Sequence, residues 1–358
     1  MKTIENNIRT KIIGTGAYIP PIKKTNDAFK AIEFLQAPGI NYNKPSAEIV
    51  EKFEAVTQIK ERRLAKPNIN ASEMGYLAGL EAITRSGINK NSLDYIIVAH
   101  NWGDVDYHSK TIDTLPNIAA KIKGKLDIEN EYCVAYDIVM GCPGWLEGLK
   151  QADIYIRAGE AKHVLVIGTE TASRAISKYD RDSMLFSDGA GAVLVQKCTD
   201  GTTGVLAFKT KSHCNAGLDY LKMVHTEYDD MPFSMRMNGR GVFRYVYSEL
   251  PKLIKETLEK AAEKPSSIKA IFMHQANPKM IKCLSRKLAE LLGIKPLDEK
   301  QIPINADYIG NNATATIPIL LYQYEKQYFQ NASLKKGDVL VFASTGAGMH
   351  VNCLIYKV

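Results

Sequence analysis

The chain has 358 residues, 45% hydrophobic and 24% charged, close to the soluble globular average, which excludes disordered and collagen-like chains. Its length points to two domains or one large duplicated one, and its net charge of +7 reads as a mildly basic surface. No run of about 18 apolar residues occurs, and Met1 to Arg9 lacks the apolar core of a secretion signal, so a cytoplasmic protein without a membrane partner is expected. Cysteines at 133, 142, 198, 214, 283 and 353, with no CxxC and no regular spacing, speak against a disulfide framework or a metal site.

In chain order, the stretch from Asn26 to Ala47, with Pro38, Gly39 and Pro45, is the most loop-like and is expected to be inserted at the surface. A helical pattern follows over roughly 71 to 86. "LDYIIVAH" (93 to 100), "AYDIVM" (135 to 140), "HVLVIGT" (163 to 169) and "GAVLVQ" (191 to 196) are too continuously apolar for a half-exposed sheet and predict buried strands. Helices are expected over 143 to 158 and 245 to 263, and strands alternating with helices imply a layered α/β domain. From Lys279 to Gly293, at about 100° per residue, Met280, Ile281, Leu284, Leu288, Leu291 and Leu292 share one apolar arc. Lys279, Lys282 and Arg286 line the opposite side, with Lys287 beside them, and "MRMNGRGVFR" adds Arg236, Arg240 and Arg244 just upstream. A basic ridge without interleaved aromatics suits an acidic protein or a phosphate group, not nucleic acid, whose single strands need stacking platforms.

Two pairs of segments echo each other. "YIIVAH" from 95 matches "AIFMHQ" from 270, and "VLVIGTE" from 164 matches "VLVFAST" from 339, both offset by 175 residues. The equal offset favours an internal duplication, with halves at 1–198 and 199–358. Chemistry falls in equivalent places. "YDIVM" runs into Gly141 and Cys142 before a helical pattern, "AIFM" runs out at His274, and "ADYIGNNATATIPI" (306 to 319) brings Gly310 and Asn311 to the mouth of another helix. Singly, a cysteine is usually a buried hydrophobe and a Gly-Asn pair a turn; jointly, at strand ends of matching halves, Cys, His and Asn point to one site at the junction. A thiol at a helix N-terminus faces the positive end of the dipole, which favours the nucleophilic thiolate. Pro143 fits the first turn, where the N–H it lacks would be unpaired anyway.

The sequence resembles the thiolase-fold condensing enzymes, and among them the β-ketoacyl-acyl-carrier-protein synthase III family. The matching stretches are "AYDIVMGCPGW", "RAGEAKHVLVIGTETASR", "DRDSMLFSDGAGAVLV", "HQANPKMI", "DYIGNNATATIP" and "STGAGMHVNCLIYKV", in family order over nearly the whole chain. The resemblance implies a duplicated α-β-α-β-α architecture and an acyltransferase that runs a ping-pong Claisen condensation in fatty-acid or polyketide-like synthesis, as a homodimer whose sheets pair across the two-fold axis through the strand over 163 to 169. It places the acyl-accepting thiol on Cys142, with His274 and Asn311 holding the carbonyl of the second, malonyl- or 3-oxoacyl-type thioester. The acylation oxyanion would rest on the backbone N–H groups of Cys142 and Gly348. Substrates would arrive on acyl carrier protein or coenzyme A, with no metal or other cofactor.

Departures from the family pattern refine this. Trp145 stands where a smaller ring is common, implying an altered acyl pocket. The Trp and Arg that flank the coenzyme A adenine have no match in "KFEAVTQIKERR" (52 to 63), whereas Arg181 matches another adenine-contacting position. With few adenine contacts and a basic ridge, an acidic carrier protein is the expected partner, docked on Arg244, Lys279, Lys282, Arg286 and Lys287. A dialkylresorcinol-type enzyme joining two long thioesters is the alternative activity. A degradative thiolase would carry a cysteine in "TGAGMH", a plant-type polyketide synthase a "GFGPG" loop, and a hydroxymethylglutaryl synthase a glutamate acid, for which Glu147 and Glu170 are near in sequence but not at the matching place. A non-catalytic thiolase-fold partner subunit would have lost the cysteine, which is kept here.

Overall fold

The computed structural model describes residues 8–37, 39–227, 230–330 and 333–358, so Pro38 lies outside the described residues. The first half contributes β1 (Arg9–Tyr18), α1 (Ser46–Thr57), α2 (Ala71–Ser86), β2 (Tyr95–Ala99), α3 (Ile118–Lys125), β3 (Val134–Ile138), α4 (Gly144–Ala158), β4 (His163–Thr171) and β5 (Asp188–Cys198). The second contributes β6 (Gly204–Ser212), the hairpin β7 (Leu221–His225) and β8 (Phe233–Met237), α5 (Gly239–Lys260), β9 (Ile268–Met273), α6 (Pro278–Leu292), α7 (Thr316–Glu325), β10 (Val339–Gly346) and β11 (His350–Lys357).

One sheet runs in the order β1-β5-β4-β2-β3 and the other β6-β11-β10-β9. In each, a parallel pair (β2 with β4, β9 with β10) is extended by two antiparallel strands. The topology is repeated, with β3 added at the edge of the first sheet, parallel to β2. Five layers follow from where apolar side chains find cover. Met74, Ala78, Ile118 and Ile122 of α2 and α3 close the outer face of the first sheet, and Val246, Leu250, Leu284 and Leu288 of α5 and α6 close that of the second. Trp145 and Leu149 of α4, with Leu320 and Tyr324 of α7, fill the space between the sheets against Val166, Val193, Phe272 and Phe342. At roughly 1.5–3 kcal/mol for each fully buried large apolar side chain, this middle layer is where the two halves are held together.

Three expectations change. The strand over 163–169 was expected to be the dimer-forming one, but β4 is paired on both sides, by β5 and β2, and has no free edge; β3 has one. The 26–47 stretch lies at the surface as expected but is not a plain loop. It forms a helical turn (Asn26–Phe29), a small ribbon (Leu35–Ala37 with Ile40–Asn41) and the start of α1, and its Phe29 and Phe34 pack on Ile49, Val50 and Met184. Buried Asn26 holds it in place, donating to Glu54 at 2.8 Å and to the Ile59 carbonyl at 2.9 Å and accepting from Arg62 at 2.7 Å. Trp145 does not shape an acyl pocket: it is 1% exposed in the middle layer, its Nε1 donating to the Val166 carbonyl at 3.3 Å.

Candidate active site

Past the end of β3 the chain turns at Gly141, whose φ is +68°. A Cβ there would stand 2.8 Å from the Ala347 nitrogen, and one on Gly346 would stand 2.6 Å from the Cys142 nitrogen. Only glycine allows this approach, and it presses Cys142 of the first half against the 346–348 loop of the second. Gly348, at φ +75°, lines the same cavity as the cysteine. Helix α4 starts at Gly144 with Pro143 as its cap residue, so the thiol stands two residues ahead of the helix proper.

That position corrects the expected thiolate. Burial pushes the Cys142 thiol up to about 12, and the carboxyl of Glu170 pushes in the same direction. Desolvation acts on the charged form wherever it sits, whereas the dipole's influence falls off within about a turn. The resting nucleophile is therefore a thiol.

His274 follows β9 and donates its backbone N–H to the Ala343 carbonyl at 2.9 Å. Its Nδ1 lies 2.8 Å from Thr316 Oγ1, and Nε2 has no hydrogen-bond partner among the described residues. Burial alone pulls the imidazole down to about 4, so it is neutral at pH 7. Asn311 is fixed through its backbone, which exchanges hydrogen bonds with Leu185 (3.0 Å) and Ser187 (2.9 Å), and through Oδ1, which accepts from the Ala313 N–H at 3.0 Å. Its Nδ2 is left without a partner among the described residues. Thr316 Oγ1 also lies 3.0 Å from the Ala313 carbonyl, so the 311–316 segment carries Asn311 at one end and orients His274 from the other.

Two cavities meet here. One, of about 320 Å³, is lined by Cys142, Gly348 and Ala313 with Trp102, Met223 and Met235; the other, of about 590 Å³, is lined by Asn311, Asn277, Phe243, Phe53, Arg181 and Lys279. Phe186 borders both. The wall formed by the 26–47 stretch and α1 belongs to the larger cavity, where the Arg181 guanidinium lies 5.3 Å above the Tyr42 ring. An aromatic partner for Arg181 thus exists in a segment read from sequence as a loop.

The basic ridge divides. Lys279 Nζ donates to the Ala55 carbonyl at 3.1 Å and Lys282 Nζ to Gln58 Oε1 at 3.2 Å, both at the C-terminal end of α1, while Lys287 pairs with Glu290 at 3.3 Å. Arg244 and Arg286 are exposed and make no ion pair among the described residues. Sequence reasoning passed over Trp102 and the β7–β8 hairpin, and it set Glu170 aside. Glu170 is 1% exposed and acts electrostatically on Cys142, whereas Glu147 faces away, toward Lys150 at 2.7 Å and Thr210 at 2.8 Å. A carboxyl ending the apolar run "HVLVIGTE" was the available signal. Among the described residues no group of three His, Cys, Asp or Glu is placed to hold a metal, and no helix is long and apolar enough to cross a membrane.

His274 lines neither of the two cavities, and Asn311 lines only the larger. Paired sheets around a shared helical layer define the class: a thiolase-fold condensing acyltransferase. Family models for 3-oxoacyl-[acyl-carrier-protein] synthase III and for its C-terminal part match residues 136–214 and 258–358. β-Ketoacyl-[acyl-carrier-protein] synthase III 1 of Vibrio vulnificus is 32% identical over 345 residues, covering 95% of this chain and 96% of its own length. The synthase III of Aquifex aeolicus is 31% identical over 342 residues, covering 95% of this chain and 96% of its own. The crystal structure of 3-oxoacyl-[acyl-carrier-protein] synthase III from Aquifex aeolicus aligns at 30% identity with a TM-score of 0.79, over 98% of this chain and 100% of that one. The chain belongs to the β-ketoacyl-[acyl-carrier-protein] synthase III family and is a ketosynthase of fatty-acid or polyketide synthesis.

Proposed function

We propose that Cys142 accepts an acyl group from a first thioester and that His274 and Asn311 activate a second, malonyl- or 3-oxoacyl-type thioester for attack on it. The observation that carries this reading is the position of Cys142 and Asn311 in two adjoining cavities that share Phe186. In the first step the sulfur bonds the acyl carbon, the thioester C–S bond breaks, and the thiol proton leaves with the departing thiol; the N–H groups of Cys142 and Gly348 serve the oxyanion. In the second, a malonyl-type thioester releases carbon dioxide, or a 3-oxoacyl-type one gives its α-proton to water, leaving an enolate whose oxygen accepts from His274 Nε2 and Asn311 Nδ2. The enolate carbon bonds the acyl carbon, and the Cys142 sulfur leaves and is reprotonated. Each such donor is worth roughly 2.7–4 kcal/mol of transition-state stabilisation. The cycle needs no cofactor beyond the two thioesters.

Acyl carrier protein is the proposed donor, since Arg244 and Arg286 remain available on the basic ridge to meet an acidic surface. The site of action is proposed as the cytoplasm, in keeping with six free cysteines, and the working form as a homodimer joined along β3. Incubation with an acyl thioester followed by peptide mapping tests the core of this reading. The adduct is expected on Cys142 alone; an adduct on Cys133 or Cys283 instead would sink it.

A further inference from the structure

Glu170 stands at the end of β4 behind the cysteine cavity, and none of the steps above uses it. Its Oε1 accepts from Asn101 Nδ2 at 2.6 Å and from Thr314 Oγ1 at 3.1 Å. The first partner lines the cavity of Cys142; the second belongs to the segment that carries Asn311 and orients His274. Two residues earlier, a Cβ on Gly168 would stand 2.5 Å from the Thr314 carbonyl oxygen, so this segment rests directly on β4. The carboxyl therefore spans the junction between the halves, one arm toward acyl loading and one toward the second thioester.

A buried carboxyl is an expensive way to make two hydrogen bonds that an amide could accept equally well, and such groups collect at functional sites. Resting on the assignment of Cys142, His274 and Asn311 above, we propose that Glu170 is a positioning residue: it clamps Asn101 and Thr314 so that the acyl group on Cys142 and the Asn311 segment keep the separation that condensation requires.

Burial pushes the Glu170 carboxyl up to about 8, so it is neutral at pH 7 and ionises just above. Once ionised it opposes the Cys142 thiolate. Other titratable groups on the packed elements are engaged elsewhere: His100 with Asp137 at 2.8 Å, and Asp188 with the N–H groups of Ala65 and Ser173 at 2.9 and 3.0 Å. On α4, Glu147 pairs with Lys150 and Asp153 with Arg157; on α2, Glu73 pairs with Lys125, and Glu81 accepts from Tyr322. Glu325 of α7 accepts from Thr15 and lies beside Arg85.

The test separates the half-reactions, following acyl loading from a short acyl-coenzyme A by intact mass and condensation by adding malonyl thioester to the pre-acylated enzyme. Glu170→Ala is expected to load within about threefold of wild type and to lose condensation by about 10² or more, the scale of a misplaced reacting group. Glu170→Gln, which keeps both acceptor contacts, is expected to restore most of that loss, and Thr314→Val, which cuts one arm, to lie between. A second readout, the pH dependence of Cys142 alkylation by iodoacetamide, reports the charge of this carboxyl beside the thiol. In wild type the logarithm of the rate should rise with pH and flatten near 8; in Glu170→Gln the rise should continue. Unchanged condensation in Glu170→Ala, or equal loss of both half-reactions without rescue by Gln, overturns the proposal. A wild-type enzyme that never acylates Cys142 instead overturns the assignment it rests on.

Discussion

The Thr316 hydroxyl is asked to do two things with one proton. It lies 2.8 Å from His274 Nδ1 and 3.0 Å from the Ala313 carbonyl. When it donates to Nδ1, Nε2 carries the imidazole proton and is a donor for the enolate oxygen; when it donates to Ala313, Nδ1 carries the proton and Nε2 is an acceptor. Condensation needs the first arrangement. Thr316→Val removes the choice and is expected to slow condensation by an order of magnitude or more, with Thr316→Ser close to wild type, measured on pre-acylated enzyme. Burial holds His274 down to about 4, so condensation should show no loss as pH falls through 6.5, where an exposed histidine would protonate. Stability moves instead: the unfolded chain takes up that proton near 6.5 and the native state only near 4, so the stability present above 6.5 is lost as pH falls across that window. Glu170 has the opposite sign. Its raised carboxyl binds a proton natively up to about 8, whereas unfolded it does so only below about 4.5, so stability falls as pH rises between those values. Thermal melts should therefore show Glu170→Gln gaining over wild type by an amount that grows from pH 4.5 to 8 and then levels; a constant offset would contradict the assignment.

Elements buried on one clean face were legible in the sequence. The apolar pattern over 71–86 is α2, and the basic-backed arc from Lys279 is α6, whose Met280, Ile281, Leu284 and Leu288 are buried as the spacing requires. Cys142 and His274 were legible for a related reason, since each follows an apolar run, whereas Asn311 was legible as part of a Gly-Asn pair ahead of a helical pattern. Helix α1 was not, because it buries only Ile49, Val50 and Thr57 and turns Phe53 and Val56 to a cavity, which leaves no full stripe. The hairpin β7–β8 escaped in the same way, since Met223 and Phe233 are exposed while Met235 is buried in a cluster with Trp102 and Ile176, which leaves no continuous apolar run. Contacts made through the absence of a side chain leave no periodic signal at all. At Gly168 the missing Cβ is what lets the 313–315 turn sit on β4. Gly168→Ala should push that turn outward, costing about 1–3 kcal/mol as overpacking does, and should slow condensation more than loading; urea unfolding alongside the two half-reactions checks both.

At the scale of the whole molecule, two surfaces carry the partners proposed above. Along β3 the sheet edge is unpaired among the described residues, and Tyr132, Val134 and Val139 beside it are 86%, 49% and 69% exposed, a combination that monomers usually cover or charge. Light scattering should give a dimer at micromolar concentration, and Val139→Asp should shift it toward monomer. The proposed carrier-protein surface is harder to isolate, because Lys279 and Lys282 brace the end of α1 and reversing them would disturb the cavity wall as well as any docking. Arg244 and Arg286 are the cleaner probes: both are exposed, and among the described residues Arg286 hydrogen-bonds within its own helix, to the Lys282 carbonyl at 3.3 Å and Cys283 Sγ at 3.4 Å. Charges at an interface rim act mainly on the association rate and are screened beyond about 8 Å at physiological salt. Reversing both arginines to glutamate should raise the apparent KM for acyl-carrier substrates several-fold at low ionic strength, with the difference closing as salt is added. Turnover of a small thioester mimic, which needs no protein docking, should stay near wild type at every salt concentration. Carrier-protein kinetics unaltered at low salt, or coenzyme A thioesters preferred in both half-reactions, would leave these arginines as an ordinary solvated face and move the search for the donor to the Tyr42–Arg181 end of the larger cavity.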